Sequence, residues 1–106
     1  MSTFDAEKFE DKYKHYFTEL QQAYKQAFDA MSERHDSDVV HAVDQLILAE
    51  SEPFYEGDGQ FRIELPENAH QRLDGVDVVV PDLDAVLAEY TDEIELQLQS
   101  VFDLED

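Results

Sequence analysis

Residues 9–31, FEDKYKHYFTELQQAYKQAFDAM, contain six of the chain's aromatic residues and three of its four lysines. Within this stretch apolar side chains recur at steps of three and four residues, which places them on one face of an α-helix. The members of this stripe are Phe9, Tyr13, Phe17, Leu20, Tyr24, Phe28 and Met31. We therefore predict one long amphipathic helix from Phe4 to Glu33, with Ser2, Thr3 or Asp5 as its N-cap.

The lysines of this stretch are compatible with two kinds of surface. Cations beside exposed rings would suit nucleic-acid binding, whereas cations beside a buried stripe keep the back of a packed helix in water. Lys8 and Lys12 each precede a stripe residue, and Lys14 lies one helical turn after Glu10, with which it can pair. We therefore expect the rings to lie in the core, and we expect no direct binding of nucleic acid.

Two other segments have helical spacing. Asp36 or Ser37 is a suitable N-cap for a second helix of about twelve residues, which we expect to end before Pro53. The last helix is predicted from Leu83 to Phe102, and its apolar stripe contains Leu83, Val86, Leu87, Tyr90, Ile94, Leu98, Val101 and Phe102. Apolar residues outside the two long stripes widen the helix faces, so we expect a homodimer that buries them. These residues are Tyr16, Leu96 and Leu104.

Residues 53–66, PFYEGDGQFRIELP, predict a β-hairpin. Asp58-Gly59 is a favoured pair for the tip of a tight turn, and β-prone residues flank it. With these two residues at the tip, Tyr55 pairs with Arg62 on the outer face of the hairpin. There the ring and the guanidinium would form an interaction face for a partner, or they would stack on each other and complete the sheet surface.

Two shorter segments complete the predicted fold. The range from Pro66 to Leu73 favours a short helix, and Val76–Val80 favours a third short strand. The chain is then a single α+β domain, residues 1–106, with the element order α-α-β-β-short α-β-α. In this fold two long amphipathic helices and a shorter helix pack with a small three-stranded, mainly antiparallel sheet.

The charge of the chain indicates a salt-adapted protein. Its 27 acidic residues against 7 basic ones give a net charge of -20 over 106 residues, and the acids are spread along the whole sequence. Molar salt screens the resulting self-repulsion, because the Debye length falls to about 3 Å at 1 M ionic strength. The sequence has neither a signal-peptide pattern nor an apolar run that would span a membrane, so we expect a cytoplasmic protein without membrane contact.

The spacing of reactive residues indicates no catalytic site. The serines lie outside any Gly-x-Ser-x-Gly turn, the three glycines form no phosphate-binding loop, and the chain has no cysteine. Asp38 and His41, three residues apart on the second helix, are candidate metal ligands, but a metal site needs three or four converging ligands. We therefore expect no enzyme activity, no cofactor and no metal, with weak metal binding at Asp38 and His41 as an alternative.

Three stretches carry a resemblance to a known family: FEDKYKHYFTELQQAYKQAF (9–28), ESEPFYEGDGQFRIELP (50–66) and YTDEIELQLQSVF (90–102). Together they resemble a family of small haloarchaeal proteins described as a domain of unknown function, over almost the whole chain. The resemblance implies a salt-adapted archaeal cytoplasm, in agreement with the composition. It implies no activity, substrate or catalytic residue.

These observations favour a non-enzymatic protein that acts through protein–protein contacts as a homodimer. The alternative is a regulator linked to nucleic-acid machinery, because the charge is uneven: residues 1–34 carry a net charge of -2, and residues 73–106 carry -11. The acidic third would then imitate a nucleic acid, or the first helix would touch one weakly through its lysines.

Overall fold

Five α-helices, two β-strands and two 3₁₀ turns form the part of the chain that the computed structural model describes, residues 4–76, 80 and 82–104. The helices are α1 (Ala6–Phe9), α2 (Lys12–His15), α3 (Phe17–Arg34), α4 (Ser37–Leu46) and α5 (Leu83–Val101). The strands are β1 (Glu52–Gly57) and β2 (Gln60–Glu64), and the 3₁₀ turns are Leu48–Glu50 and His70–Leu73. The two strands form an antiparallel sheet, so the protein is α+β, as predicted.

The predicted element order is observed in part. A 3₁₀ turn, His70–Leu73, occupies the place of the predicted short helix. Residues 77–79, which are most of the predicted third strand Val76–Val80, lie outside the described residues. Within the described ranges, no helix combines the length and the apolar character needed to cross a membrane.

The amino-terminal segment is not the single helix that we predicted from Phe4 to Glu33. Three helices, α1, α2 and α3, replace it, with junctions at Glu10–Asp11 and at Tyr16. Asp5 caps α1, as predicted, because its side chain accepts a hydrogen bond from the Glu7 N–H. The Asp5 N–H donates a 2.9 Å hydrogen bond to the Tyr16 hydroxyl. In a straight helix residues 5 and 16 would be about 16 Å apart, so this bond requires the chain to fold back.

The junction at Tyr16 changes which face of α3 is buried. The buried side of this segment consists of Tyr16, Leu20, Ala23, Ala27 and Met31. Its two alanines let α3 approach α5 closely, which a face of large rings would prevent. Tyr13 and Phe17 are 57% and 51% exposed, while Tyr24 and Phe28 are half-buried. The prediction that the apolar stripe of the first helix is its buried face is therefore wrong for Tyr13 and Phe17.

The helices α4 and α5 follow the sequence predictions closely. Asp36 caps α4 by accepting a 2.8 Å hydrogen bond from the Asp38 N–H. The helix ends at Leu46, and Pro53 lies within β1, so the proline does not itself end the helix. The predicted stripe of α5 is buried at Val86, Leu87, Tyr90, Ile94 and Leu98. Burying a side chain of this size contributes about 1.5–3 kcal/mol, so these contacts account for much of the core.

The hairpin turns at Asp58–Gly59, as predicted, but the pairing of its strands differs from the prediction. Glu56 is an extra residue that bulges out of β1, and the register shifts there. As a result Arg62 lies opposite Phe54 and not opposite Tyr55. The predicted pair of Tyr55 with Arg62 is wrong, because a bulge exchanges the two faces of the strand beyond it.

A cluster of six rings joins the two ends of the described chain. The members of this ring cluster are Phe4, Phe9, Tyr16, Tyr55, Phe61 and Phe102. The centroid of the Phe102 ring lies 4.9 Å from that of Phe4 and 4.9 Å from that of Tyr16. Leu104 also packs, half-buried, against this core. Of the three positions that we expected at a dimer interface, Tyr16 and Leu104 therefore belong to the core, and only Leu96 is exposed.

Candidate functional site

An uncharged groove lies between the amino-terminal helices and the segment that connects α4 to β1. We call it the ring groove; its volume is about 200 Å³. The residues that line it are Tyr13, Phe17, Leu20, Gln21, Tyr24, Leu48, Ala49, Ser51 and Pro53. Tyr13 and Phe17 are its exposed rings, because the junction at Tyr16 leaves them outside the core. The groove therefore combines an apolar lining with two large rings open to solvent.

Hydrogen bonds join the two walls of the ring groove. The Ser51 hydroxyl donates to the Leu48 carbonyl over 2.6 Å, and the Tyr24 hydroxyl lies 3.0 Å from Ser51 Oγ. Since serine has a single hydroxyl proton, Tyr24 is the donor in the second bond. Burial raises the pKa of Tyr24 to about 12, so its phenol is neutral at neutral pH. The lining of the groove is therefore polar in places but carries no charge.

Lys12 ties the helix α2 to the strand β1. It is buried, with 6% of its surface exposed, and its Nζ lies 3.3 Å from Oε2 of Glu52. Three rings surround the ammonium at centroid distances of 5.1 to 5.5 Å, and they are Phe9, Tyr13 and Phe54. Contacts of this kind contribute about 0.5–2 kcal/mol. Lys12 thus holds Tyr13 at the edge of the groove, and its charge is already paired.

A second and larger hollow, of about 430 Å³, lies beside Lys12. Its lining residues are Ala6, Phe9, Glu10, Lys12, Glu52, Phe54 and Tyr55. The two carboxylates outnumber the one ammonium, which Glu52 already pairs. An anionic ligand would therefore meet net negative charge there, and the uncharged ring groove is the better candidate for a binding site.

Tyr55 and Arg62, the predicted interaction face, lie on opposite faces of the hairpin. The Tyr55 ring packs into the core at 4.8 Å from the Phe4 ring, and its hydroxyl accepts a 2.9 Å hydrogen bond from the Gly59 N–H. Arg62 is exposed, and its guanidinium lies 4.6 Å from the Phe54 ring centroid. A role of these residues in recognition stays a prediction, but the pair on the outer face is Phe54 and Arg62.

Arg62 is also engaged by neighbouring carboxylates. Its Nε donates to Glu56 over 2.8 Å, and its Nη1 donates to Glu64 over 2.6 Å. These hydrogen bonds raise the pKa of the guanidinium, with Glu64 as the larger cause. The arginine therefore stays charged, and a partner would have to compete with two ion pairs for it.

Asp38 and His41, the predicted metal-ligand candidates, are both exposed on α4. Over residues 4–76, 80 and 82–104, no three or more His, Asp or Glu side chains are grouped so that they could hold a metal ion. Within that range the structure brings no third ligand to the pair. Metal binding at this position stays a prediction.

A group of ion pairs, which we call the α3–α5 clamp, joins the end of α3 to α5. Arg34 donates to Glu89 over 2.9 Å and also to Glu93, one helical turn further along. His35 Nε2 lies 3.0 Å from Glu89, and Gln97 donates to Glu93 over 2.9 Å. The hydrogen bonds from Arg34 and then from His35 lower the pKa of Glu89. The clamp fixes the packing of the two long helices, and the sequence analysis did not identify it.

Sequence reasoning also missed the ring groove, because two apolar stripes overlap in the amino-terminal segment. The stripe that is buried runs through Tyr16, Leu20, Ala23, Ala27 and Met31 and has the same helical spacing. Ala23 and Ala27 are the signal that could have identified it, since small residues allow two helices to approach most closely. The other stripe contains larger rings, and hydrophobicity alone favours it.

The fold and the ring groove define a small α+β protein with an exposed groove that is lined by uncharged residues. The chain belongs to the family described as "Family of unknown function (DUF5783)", whose family model matches residues 1–105. The predicted resemblance to a family of unknown function is confirmed to that extent. No curated protein and no solved structure matches the chain.

Proposed function

We propose that this protein is a non-enzymatic module that binds another protein chain through the ring groove. The exposure of Tyr13 and Phe17 beside an apolar lining carries this proposal, because aromatic side chains are enriched at the hot spots of protein interfaces. The groove volume of about 200 Å³ is below the range of about 300–1,000 Å³ that is typical of small-molecule pockets. It therefore suits a single large side chain of a partner better than a free ligand.

We further propose that the protein works in the salt-adapted cytoplasm of a haloarchaeon. The net charge of -20, spread along the whole chain, supports this environment. Molar salt screens the charges over a few ångströms, whereas contacts between apolar surfaces do not depend on charge. An uncharged groove is therefore the kind of surface on which two acidic proteins would associate at high salt.

A photo-crosslinking amino acid, p-benzoylphenylalanine, at position 17 tests the proposed function. Position 100 is the control, because Ser100 is exposed on α5, away from the residues that line the groove. In a lysate kept at molar KCl, we expect position 17 to form an adduct with a protein and position 100 to form none. The absence of a protein adduct at position 17, or equal adducts at both positions, would contradict the proposal.

A second candidate function is weak binding of single-stranded nucleic acid. Exposed rings beside an exposed cation favour it, since Tyr13 and Phe17 lie close in the chain to Lys14, which is also exposed. Stacking on such rings contributes about 1–3 kcal/mol per base. The pairing of Lys12 with Glu52 and the net charge of -20 both weigh against it. A nucleic-acid adduct at position 17 in the same crosslinking experiment would favour this candidate.

A further inference from the structure

We infer that the ring groove is the contact between two copies of this chain, related by a twofold axis, with Phe17 of each copy inserted into the groove of the other. This inference rests on the proposed function and names the partner. The shape of the surface is the first reason. Phe17 lines the groove and is 51% exposed. The same surface patch therefore contains a groove and a ring that can fill such a groove in another molecule.

A patch of this kind is self-complementary. In a twofold dimer the same surface of both copies meets, and residue i contacts residue j while j contacts i. Phe17 forms part of the lining of its own groove and cannot also fill it, whereas the equivalent ring of a second copy can. Both rings are then removed from water together.

Charges at the edges of the groove are the second reason. On the side of the helices, the exposed Lys14 follows the lining residue Tyr13 in the chain. On the opposite side, the exposed Glu50 lies between the lining residues Ala49 and Ser51, whereas Glu52 is already paired with Lys12. A twofold axis along the groove places the helical wall of one copy against the opposite wall of the other. A lysine then faces a glutamate at each edge of the contact.

The carboxyl-terminal third is less suitable for self-association. Residues 73–106 carry eleven acids and no base, whereas residues 1–34 carry seven acids and five bases. Leu96 is as exposed as Phe17, at 51%, but it lies on α5 next to Glu95 and one turn from Asp92. Two copies that met at Leu96 would bring like charges together, which molar salt would screen only in part.

Light scattering in molar KCl, across micromolar concentrations, tests this inference. We expect the wild-type protein to have twice the chain mass and Phe17→Ser to raise the dimer dissociation constant at least about 100-fold, because each dimer loses two inserted rings. Leu96→Ser is the matched control, since it removes an equally exposed apolar side chain, and we expect it to leave the mass unchanged. Circular dichroism of both variants verifies that they fold.

The absence of cysteine allows a second measurement that does not require removal of a ring. Gln21→Cys places a single thiol in the groove, and Ser100→Cys places one on α5 as the control. With a short bis-maleimide linker, we expect Gln21→Cys to form a covalent dimer and Ser100→Cys to remain a single chain. Equal crosslinking of both variants would overturn the inferred interface.

The failure of this inference can be distinguished from the failure of the proposed function. A wild-type mass equal to one chain at all concentrations overturns the self-contact. Dissociation of the dimer by Leu96→Ser, but not by Phe17→Ser, would overturn it as well. In either case a photo-crosslinked adduct of position 17 with a different protein leaves the proposed function standing, whereas an adduct of twice the chain mass supports both.

Discussion

Lys12 carries its positive charge at a buried position, where a charge is energetically unfavourable. Removing an ammonium from water is unfavourable unless the geometry of its partners compensates. Here one carboxylate, Glu52, and three rings surround it, and its aliphatic stem is buried with them. Because Glu52 keeps 47% of its side-chain surface exposed, it can be hydrated when its partner is missing. The stem of Lys12 should therefore contribute more to stability than its charge.

Replacing Lys12 by methionine and by alanine separates these two contributions. We expect Lys12→Met to change the free energy of unfolding by less than about 1 kcal/mol, because the apolar stem remains. Lys12→Ala should lower it by about 2 kcal/mol, because the truncation leaves a cavity among the rings. Urea denaturation in molar KCl measures both changes. Equal losses in the two variants would show that the charge, and not the stem, holds α2 on β1.

The bulge at Glu56 decides which residue is the neighbour of Arg62. In the structure Arg62 stacks on Phe54, whereas Tyr55 packs into the core on the other face. Double-mutant cycles with alanine should therefore give a coupling free energy for Phe54 and Arg62 that is at least about twice that for Tyr55 and Arg62. Thermal or urea unfolding of the five variants, three single and two double, and of the wild type provides the numbers. A larger coupling free energy for Tyr55 and Arg62 would instead support the strand register without a bulge.

At the scale of elements, sequence reasoning succeeded where one pattern had no competitor. The stripe of α5 is the only helical spacing in its segment, and Asp58–Gly59 has no alternative as a turn, so both were correctly predicted. Sequence reasoning failed where two alternative structures of the same segment have similar local energies. The predicted apolar stripe continues past Tyr16 without interruption. The hydrogen bond from the Asp5 N–H to the Tyr16 hydroxyl and the packing of the ring cluster favour the break of the helix at Tyr16. The bulge at Glu56 likewise depends on how the hairpin packs.

The candidate site could not be predicted for the same reason. Periodicity identifies which residues share a helix face, but it does not say which of two faces meets α5. Tyr13 and Phe17 were assigned to the core because they are large and apolar, whereas the structure buries the alanine face. The metal-ligand pair Asp38 and His41 was found from spacing alone, and spacing does not reveal whether a third ligand converges on it.

The α3–α5 clamp makes stability depend on pH in a defined direction. Arg34 and His35 lower the pKa of Glu89 from its ordinary value of 4.5. The stabilisation is therefore complete above pH 4.5 and is lost as the pH falls through the lower, folded-state pKa. We expect Glu89→Gln to be less stable than the wild type at neutral pH, with a difference that shrinks below pH 4.5. Urea denaturation over the range from neutral to acidic pH follows this difference.

Asp92→Asn is the control for the clamp, because Asp92 is an exposed acid one turn away on the same helix. Burial and, after it, the charge of Asp92 raise the pKa of Glu95, so Asp92 opposes this neighbour instead of pairing with a cation. We expect Asp92→Asn to be no less stable than the wild type at neutral pH. A loss for Glu89→Gln that persists unchanged at acidic pH would mean that ionisation of Glu89 does not stabilise the clamp.

At the scale of the whole molecule, the net charge of -20 should make folding depend on salt. Screening weakens the self-repulsion of the folded chain. We expect the midpoint of thermal unfolding to rise by at least about 5 °C between low salt and molar KCl, the shift that roughly 1 kcal/mol produces in a domain of this size. Differential scanning calorimetry at several KCl concentrations measures the shift.

A variant with fewer charges provides the matched comparison for this salt effect. Asp74, Asp92 and Asp103 are exposed acids of the carboxyl-terminal third, and replacing all three by asparagine removes three negative charges. We expect the triple variant to unfold at a higher temperature than the wild type at low salt and to gain less from added KCl. The same gain in both proteins would show that KCl stabilises the fold by some route other than screening.

The ring cluster has a consequence for how the chain is made. Phe4, Phe9 and Tyr16 emerge from the ribosome well before Phe102, on which two of them pack at 4.9 Å. Until Phe102 has emerged, these rings therefore have no complete core to enter, because the contact that closes the ring cluster joins residues distant in the sequence. Folding that depends on such distant contacts is slow to begin, so the rings should stay accessible to chaperones until Phe102 has been synthesised.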